Sequence, residues 1–366
     1  MTDVEAQDRL RLARTETVGP ITHRRLLERY GSAAAALDAL PGLARAGGRN
    51  NLAIPTRAQA AREIDRTRKL GARMLFLGEV GYPMLLAMVE DAPPVIAVLG
   101  DPAAIDARAV AVVGARNASA NGQRFAELLA AELARAGLVI VSGLARGIDA
   151  AAHEGALRAG RTAAAVAGGL DQPYPPEHAD LQRRIAAGGA VVAEAPLGTA
   201  PQSRHFPRRN RLIAGLSLGC IVIEAAPRSG SLITARLALE NNRELFAAPG
   251  SPLDPRCRGS NDLIRQGAHL VEEAADVLAH LPPSAPRGGF AEPAPVWFGP
   301  EPADVVGVHE ILIDLLDPSP TPVDVLIRRC QLPAAVVMAA LVDLELAGRA
   351  EMLPGNRVAR VMDPGF

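Results

Sequence analysis

Arg204, Arg208, Arg209 and Arg211 fall within eight residues of one another, with Phe206 and Asn210 set among them. Guanidinium groups at that density repel one another unless water or an anion separates them, and their planar forks match the oxygens of a phosphate. A ring beside them offers a surface for an unstacked base, worth about 1–3 kcal/mol per base. The same ring serves equally well as an apolar anchor that fixes the segment. Cations and an aromatic side chain together suit a flexible polyanion such as single-stranded nucleic acid.

Those arginines need a scaffold that brings other anion-binding groups to them. Between residues 72 and 281 short apolar runs alternate with helical patterns. Strands are predicted over 109–113, 138–141, 162–167, 190–193 and 220–224, with 244–248 and 268–271 closing the sheet. Helices are predicted over 120–136, 147–159, 180–187, 209–216 and 232–242. Continuous apolar strands alternating with helices imply a parallel sheet covered on both faces. The fold class is therefore α/β, with a Rossmann-like, doubly wound core.

Ligands of such sheets sit beyond the carboxyl ends of the strands. The residues there are Gly114-Ala115-Arg116, Ser142-Gly143-Leu144-Ala145-Arg146-Gly147, Gly168-Gly169, Glu194 to Gly198, and Ser229-Gly230-Ser231. Glycine-rich turns that open a helix expose bare N–H groups and the positive end of the helix dipole, which together bind phosphate without lysine. Arg116 and Arg146 would add charge-assisted bonds. Tight packing of helix on strand uses such glycines too, so it is the recurrence along one sheet edge that carries weight.

Several chemistries are excluded. No G-x-G-x-x-G follows the first strand and no G-x-x-x-x-G-K-[ST] occurs, so neither a standard dinucleotide site nor a P-loop is supported. H-E-x-x-H is also absent. Asp149 and His153 stand at i, i+4 spacing as half of a hydrolytic pair or as a helix cap, and Glu224 ends a strand with no evident catalytic partner. No catalytic, metal or cofactor site is assigned. Cys220, Cys257 and Cys330 are odd in number and far apart, against a disulfide framework or structural zinc. The net charge of −1 gives no global basic signal, but a groove can be basic on a neutral protein. Lys69 is the single lysine among 39 cationic side chains, a bias that genome composition also explains. The polar start Met1-Thr2-Asp3-Val4-Glu5 and the lack of a long apolar run predict a cytoplasmic protein with no membrane contact.

At 366 residues more than one core is expected. Residues 1–71 read as short helices, with Pro20 opening one and Gly31 ending it. Such a head fits a helix-hairpin-helix or sterile-alpha-motif-like unit that touches a nucleic-acid backbone, or a small interaction bundle. Residues 282–300 are a Pro/Gly linker by composition. In 301–366, three helices (308–315, 323–329, 334–347) and a hairpin around Pro354-Gly355-Asn356 predict a winged helix. Its third helix has no arginine before Arg349, which marks it as a core or partner helix rather than a reader of the duplex.

In order along the chain, Gly81-Tyr82-Pro83, Val113-Gly114-Ala115-Arg116, Ser142 to Asp149, Gly168 to Pro175, Phe206 to Leu216, Ser229 to Ala235 and Gly259-Ser260-Asn261 resemble the DprA/Smf family of DNA-processing proteins of natural transformation. The resemblance spans the whole Rossmann-like region, and the head and tail are similar to the family's accessory domains. It implies a non-enzymatic protein that binds single-stranded DNA, dimerises through the Rossmann-like domain, loads the RecA recombinase onto incoming strands and helps displace single-strand-binding protein. It also implies that Arg116, Ser142, Gly143, the loop from Phe206 to Arg211, and Ser229, Gly230, Ser231 and Thr234 form the DNA pocket, beside Gly114, Arg146 and Gly147. Some members carry a lysine shortly before the aromatic; here Gln202-Ser203-Arg204-His205 stands in its place and Arg204 supplies the charge. The competing reading from the residues alone is a nucleotide- or nucleotide-sugar-processing enzyme built on Asp149, His153 and Glu224.

Overall fold

The computed structural model describes residues 1–282 and 307–361. The stretch assigned to a linker, 282–300, lies outside the described residues apart from Pro282. Nine strands make the main sheet: β1 (Ala72–Phe76), β2 (Val95–Gly100), β3 (Ala109–Gly114), β4 (Val139–Ser142), β5 (Thr162–Val166), β6 (Ala190–Ala193), β7 (Gly219–Ile223), β8 (Glu244–Ala247) and β9 (His269–Leu270). Their order is β1-β2-β6-β5-β4-β3-β7-β8-β9. Every neighbouring pair from β6 to β9 is parallel, and β2 joins β6 antiparallel. β1 and β2 have no counterpart in the sequence reading, which began the sheet at residue 109.

The chain steps outward from β3 through β4, β5 and β6, then returns to the other side of β3 for β7, β8 and β9. The gap between β3 and β7 is thus the topological switch point, where a doubly wound sheet opens a crevice at its carboxyl edge. The strands are apolar because both faces are covered: Val110, Val112, Ile140, Val141, Cys220 and Ile221 are fully buried. The covering helices include α6 (Ala120–Arg135), α7 (Ile148–Leu157), α8 (Ala179–Gly188), α9 (His205–Gly215), α10 (Gly230–Glu240), α11 (Arg258–Arg265) and α12 (Ala274–His280). Small side chains let them approach closely. A Cβ on Gly155 in α7 would lie 2.0 Å from the Glu127 carbonyl oxygen of α6.

Packing divides the chain into two units, Asp65–Val89 with Ile96–Gly289, and Met1–Ile64 with Glu90–Val95 and Phe290–Phe366. The first holds the sheet, with the short helix α5 (Met84–Ala87). The second unites the head, α1 (Asp3–Arg14), α2 (Pro20–Tyr30) and α3 (Ala33–Ala46), with the tail; α4 (Arg57–Lys69) leads from it into β1. The tail is α13 (Val308–Leu315), β10 (Thr321–Pro322), α14 (Val323–Cys330), α15 (Ala334–Leu346), β11 (Ala350–Leu353) and β12 (Arg357–Arg360), with sheet order β10-β12-β11. This is the winged helix that the sequence predicted. In the head, α3 runs through Pro41 to Ala46. Leu37, Leu40 and Ala44 are buried along one side of it, which offsets the hydrogen bond that the proline removes. Among the described residues no single helix is long and apolar enough to cross a membrane.

Candidate nucleic-acid interface

A cleft of about 490 Å³ opens at the switch point. Gly114, Ala115, Arg116 and Asn117 line it from the end of β3, and Arg228, Ser229, Gly230 and Ser231 from the end of β7. Asp149 reaches it from α7, Thr234 from α10, Arg256 from the loop after β8, and Phe206, Arg209, Asn210 and Ile213 from α9. Among the described residues four arginines therefore face one carboxylate.

Each group is there for a local reason. Gly114 has no room for a side chain, since a Cβ would sit 1.9 Å from the Ile223 carbonyl oxygen and 2.6 Å from Ile148 Cγ1. That closure brings the turn carrying Arg116 against the end of β7. Ser229 is the N-cap of α10: its hydroxyl accepts from Ser231 N at 3.4 Å and shares a hydrogen bond with Ser231 Oγ at 2.7 Å. The start of this helix, the positive end of its dipole, forms one wall of the cleft. Glu224, at φ +50°, accepts from Ser119 N at 2.8 Å and from Ser119 Oγ, and so ties the start of α6 to the end of β7. Its carboxylate is engaged there and does not line the cleft.

The arginine-rich stretch is helical from His205 on, where the sequence reading had a loop as far as Arg208. Helical periodicity then sorts its members. Phe206, Arg209, Asn210 and Ile213 follow i, i+3, i+4, i+7 spacing and form one face, the face lining the cleft. Arg208 and Arg204 fall elsewhere on the helix surface and are exposed. Arg211 turns inward, is 5% exposed and pairs with Glu194 at 2.5 Å. The Phe206 ring is half-buried and organises the cations. The Arg116 and Arg209 guanidiniums lie 5.1 and 5.8 Å from its centroid, and the Tyr174 ring meets it edge-on at 5.5 Å.

Arg209 is the buried cation of the site. It is 6% exposed, and its Nε and Nη1 have no hydrogen-bond partner. Desolvation lowers its pKa to about 10, against the pull of the Asp149 carboxylate, so it remains charged at neutral pH. Gly143 makes the space: a Cβ there would lie 1.4 Å from Arg209 Nη1 and 2.8 Å from Asp149 Oδ2. Asp149 Oδ2 in turn accepts from Gly143 N at 3.1 Å and Ala145 N at 3.3 Å, which folds the turn after β4. Burial raises the Asp149 pKa, with Arg209 the strongest opposing influence.

The structure thus brings Gly114, Arg116, Phe206, Arg209, Asn210, Ser229, Gly230, Ser231 and Thr234 together, and leaves seven expected residues out of the cleft. Ser142 is fully buried and donates to the Val112 carbonyl at 2.6 Å. Gly143 is buried beneath Arg209. Gly147, at φ +74°, packs against the Ala115 carbonyl, where a Cβ would come within 2.3 Å. Arg146 is exposed and paired with Glu177; Arg204, Arg208 and Arg211 are placed as above. The hydrolytic pair is not assembled either. His153 Nδ1 meets Thr162 Oγ1 at 2.7 Å in the fully buried interior, and burial lowers its pKa to about 3. Sequence reading missed Arg228 and Arg256. Asp254 holds Arg256 through bonds of 3.0 Å to Nε and 2.7 Å to Nη2. The strand-end rule, applied to the loop after β8, points to Arg256.

Fold and site together define a class: a Rossmann-like protein whose switch-point cleft is lined by arginines, a helix N-terminus and one organising ring. Within that class, the chain belongs to the family described as DNA recombination-mediator protein A, whose pattern matches residues 73–282. A DprA-like N-terminal HHH domain matches residues 3–65 and a DprA winged helix domain residues 293–356. Protein Smf of Escherichia coli (strain K12) is 42% identical over 76% of this chain and 74% of its own length. The X-ray structure of DNA processing protein A from Streptococcus pneumoniae superposes with a TM-score of 0.67 at 36% identity, over 77% of this chain and 99% of that one. A Helicobacter pylori DNA processing protein A, whose structure describes a single-stranded DNA binding mode, superposes with a TM-score of 0.51 at 31% identity, over 56% of this chain and 94% of that one. The resemblance to the DprA/Smf family is thereby confirmed.

Proposed function

We propose that this protein is a single-stranded-DNA-binding recombination mediator and acts without catalysing a reaction. One observation carries the reading: Arg116, Arg209, Arg228 and Arg256 converge with the α10 N-terminus on a single cleft that holds one carboxylate. Arg116 and Arg228 are the exposed cations, and Arg116 takes a phosphate through its fork. Arg209 supplies a fixed charge from below, and the helix start supplies N–H donors. Phosphate contacts of this kind are indifferent to base identity, so binding is sequence-tolerant and weakens with salt. The Helicobacter pylori relative's single-stranded DNA binding supports the strand as ligand.

The finer reading follows the family: a homodimer through the Rossmann-like domain that displaces single-strand-binding protein and hands the strand to the RecA recombinase. The groups an enzyme would need are otherwise engaged. Asp149 folds a backbone turn, His153 is sealed in the core and Glu224 holds Ser119. Strand capture tests the proposal, comparing oligo-dT with a duplex of equal length at two salt concentrations. Preference for the single strand is expected, with affinity falling about 0.7 log units per log unit of salt for each phosphate contacted. Equal capture of both forms, or turnover of common nucleotides by the purified protein, would count against it.

A further inference from the structure

The third helix of a winged helix is the element such folds place in the major groove of a duplex. Here that helix, α15, is apolar on nearly every side. Val336, Val337, Ala339, Ala340 and every residue from Leu341 to Leu346 are buried. A helix buried all round has partners on two sides. On one side α15 packs into the tail's own core with Leu312, Val323, Leu326 and Val358. On the other, Val342 and Leu346 pack in one cluster with Leu12, Leu26, Ala36, Leu37 and Leu40 of the head.

Polar contacts fix the register. Thr17 Oγ1 donates to the Leu346 carbonyl at 3.0 Å. Gly47, just past α3, lies so close to α15 that a Cβ would come within 2.1 Å of the Asp343 carbonyl oxygen. Its backbone, at φ −76° and ψ −2°, suits any residue, so contact with α15 is what requires glycine.

We propose that α15 is a docking helix for the chain's own N-terminal helices, so that head and tail are one obligate folding unit. The winged helix then serves as a clasp between the two ends of the chain, and its groove-reading face is used up. The occupant is amphipathic, α1 to α3, with Leu12, Leu26 and Leu37 turned to α15's cluster.

Two chemically identical substitutions in the full-length protein test this. A Cβ on Gly42, within α3, meets nothing within 4 Å, whereas one on Gly47 meets the Asp343 backbone. Hydrogen exchange read by mass spectrometry follows α3, α15 and the central strands in each variant. Gly42→Ala is expected to keep or raise protection in α3 and α15. Gly47→Ala is expected to lower protection at least tenfold in α3 and α15 together, with β3 to β7 unchanged and affinity for a 20-base-pair duplex unchanged. Wild-type protection of α15 in Gly47→Ala, with or without loosening of α3, overturns the proposal. So does loss of protection spreading into β3 to β7, and so does a tenfold gain in duplex affinity, which would reveal a masked reader.

Discussion

At the scale of residues, rotation around α9 separates arginines that sit side by side in the chain. Arg208, Arg209 and Arg211 are within four residues yet reach solvent, the cleft and the Glu194 side respectively. Arg116→Ala is therefore expected to weaken oligo-dT binding about tenfold and to lower the salt slope by about 0.7, the share of one phosphate. Arg208→Ala should change both only slightly. Fluorescence anisotropy over a salt series checks the pair, and equal losses in the two variants would contradict the assignment. Among the described residues Asp149 is the one carboxylate lining the cleft, and its charge opposes an incoming phosphate. Asp149→Asn keeps an acceptor for Gly143 N while removing that charge. Tighter oligo-dT binding, by on the order of 1 kcal/mol, is expected at an effective dielectric near 20. The cost is a lower melting temperature, because buried Arg209 loses its compensating charge. A variant that melts lower and also binds more weakly would show that Asp149 acts only as a turn-former.

At the scale of elements, close approach of helices decides more than helix propensity does. Glycines at 155 and 47 each remove the Cβ that would keep two elements apart. The packing of α15 also buries an acid. Glu345 is 5% exposed, accepts from Met352 N at 3.2 Å and has no partner for Oε2. Burial pushes its pKa up to about 8 from an ordinary value of 4.5, against the attraction of Arg25. The folded state then keeps a proton that the unfolded chain releases between those values. Stability from this source is complete below pH 4.5 and is lost as the pH rises toward 8, by on the order of a few kcal/mol. Glu345→Gln should abolish that dependence and melt higher than wild type at pH 8. Calorimetry of the head-and-tail transition at pH 5 and pH 8 reads it; an unaltered slope in the variant places the titration on another group.

At the scale of the whole molecule, the cleft draws all its walls from the sheet unit. A fragment spanning residues 72–281 is expected to hold oligo-dT within about threefold of the full-length affinity, measured by gel shift at matched salt. Complete loss would move binding to the ends of the chain. The strand-helix alternation, the doubly wound core and the three-helix tail were legible in sequence because burial on two faces leaves continuous apolar runs, and burial on one leaves helical periodicity. β1 and β2 were not: β1 is an edge strand with a mixed pattern, while β2 is an interior apolar run, joined antiparallel to β6, that the reading passed over. The cleft-lining turns were half legible. Ser229-Gly230-Ser231 opens the cleft as expected, while Ser142, Gly143 and Gly147 spend their small side chains on packing.

By itself the sequence determined the class of fold; it also pointed to the carboxyl edge as the expected place for a ligand and to arginine as the expected means of holding it. These are properties of composition and spacing along one dimension. Only the tertiary structure decided which guanidiniums share a cleft, that Arg256 joins from a distant loop, and that the two ends of the chain fold on each other. Those outcomes depend on strand order and on which helix face meets which neighbour, and neither is written in local periodicity.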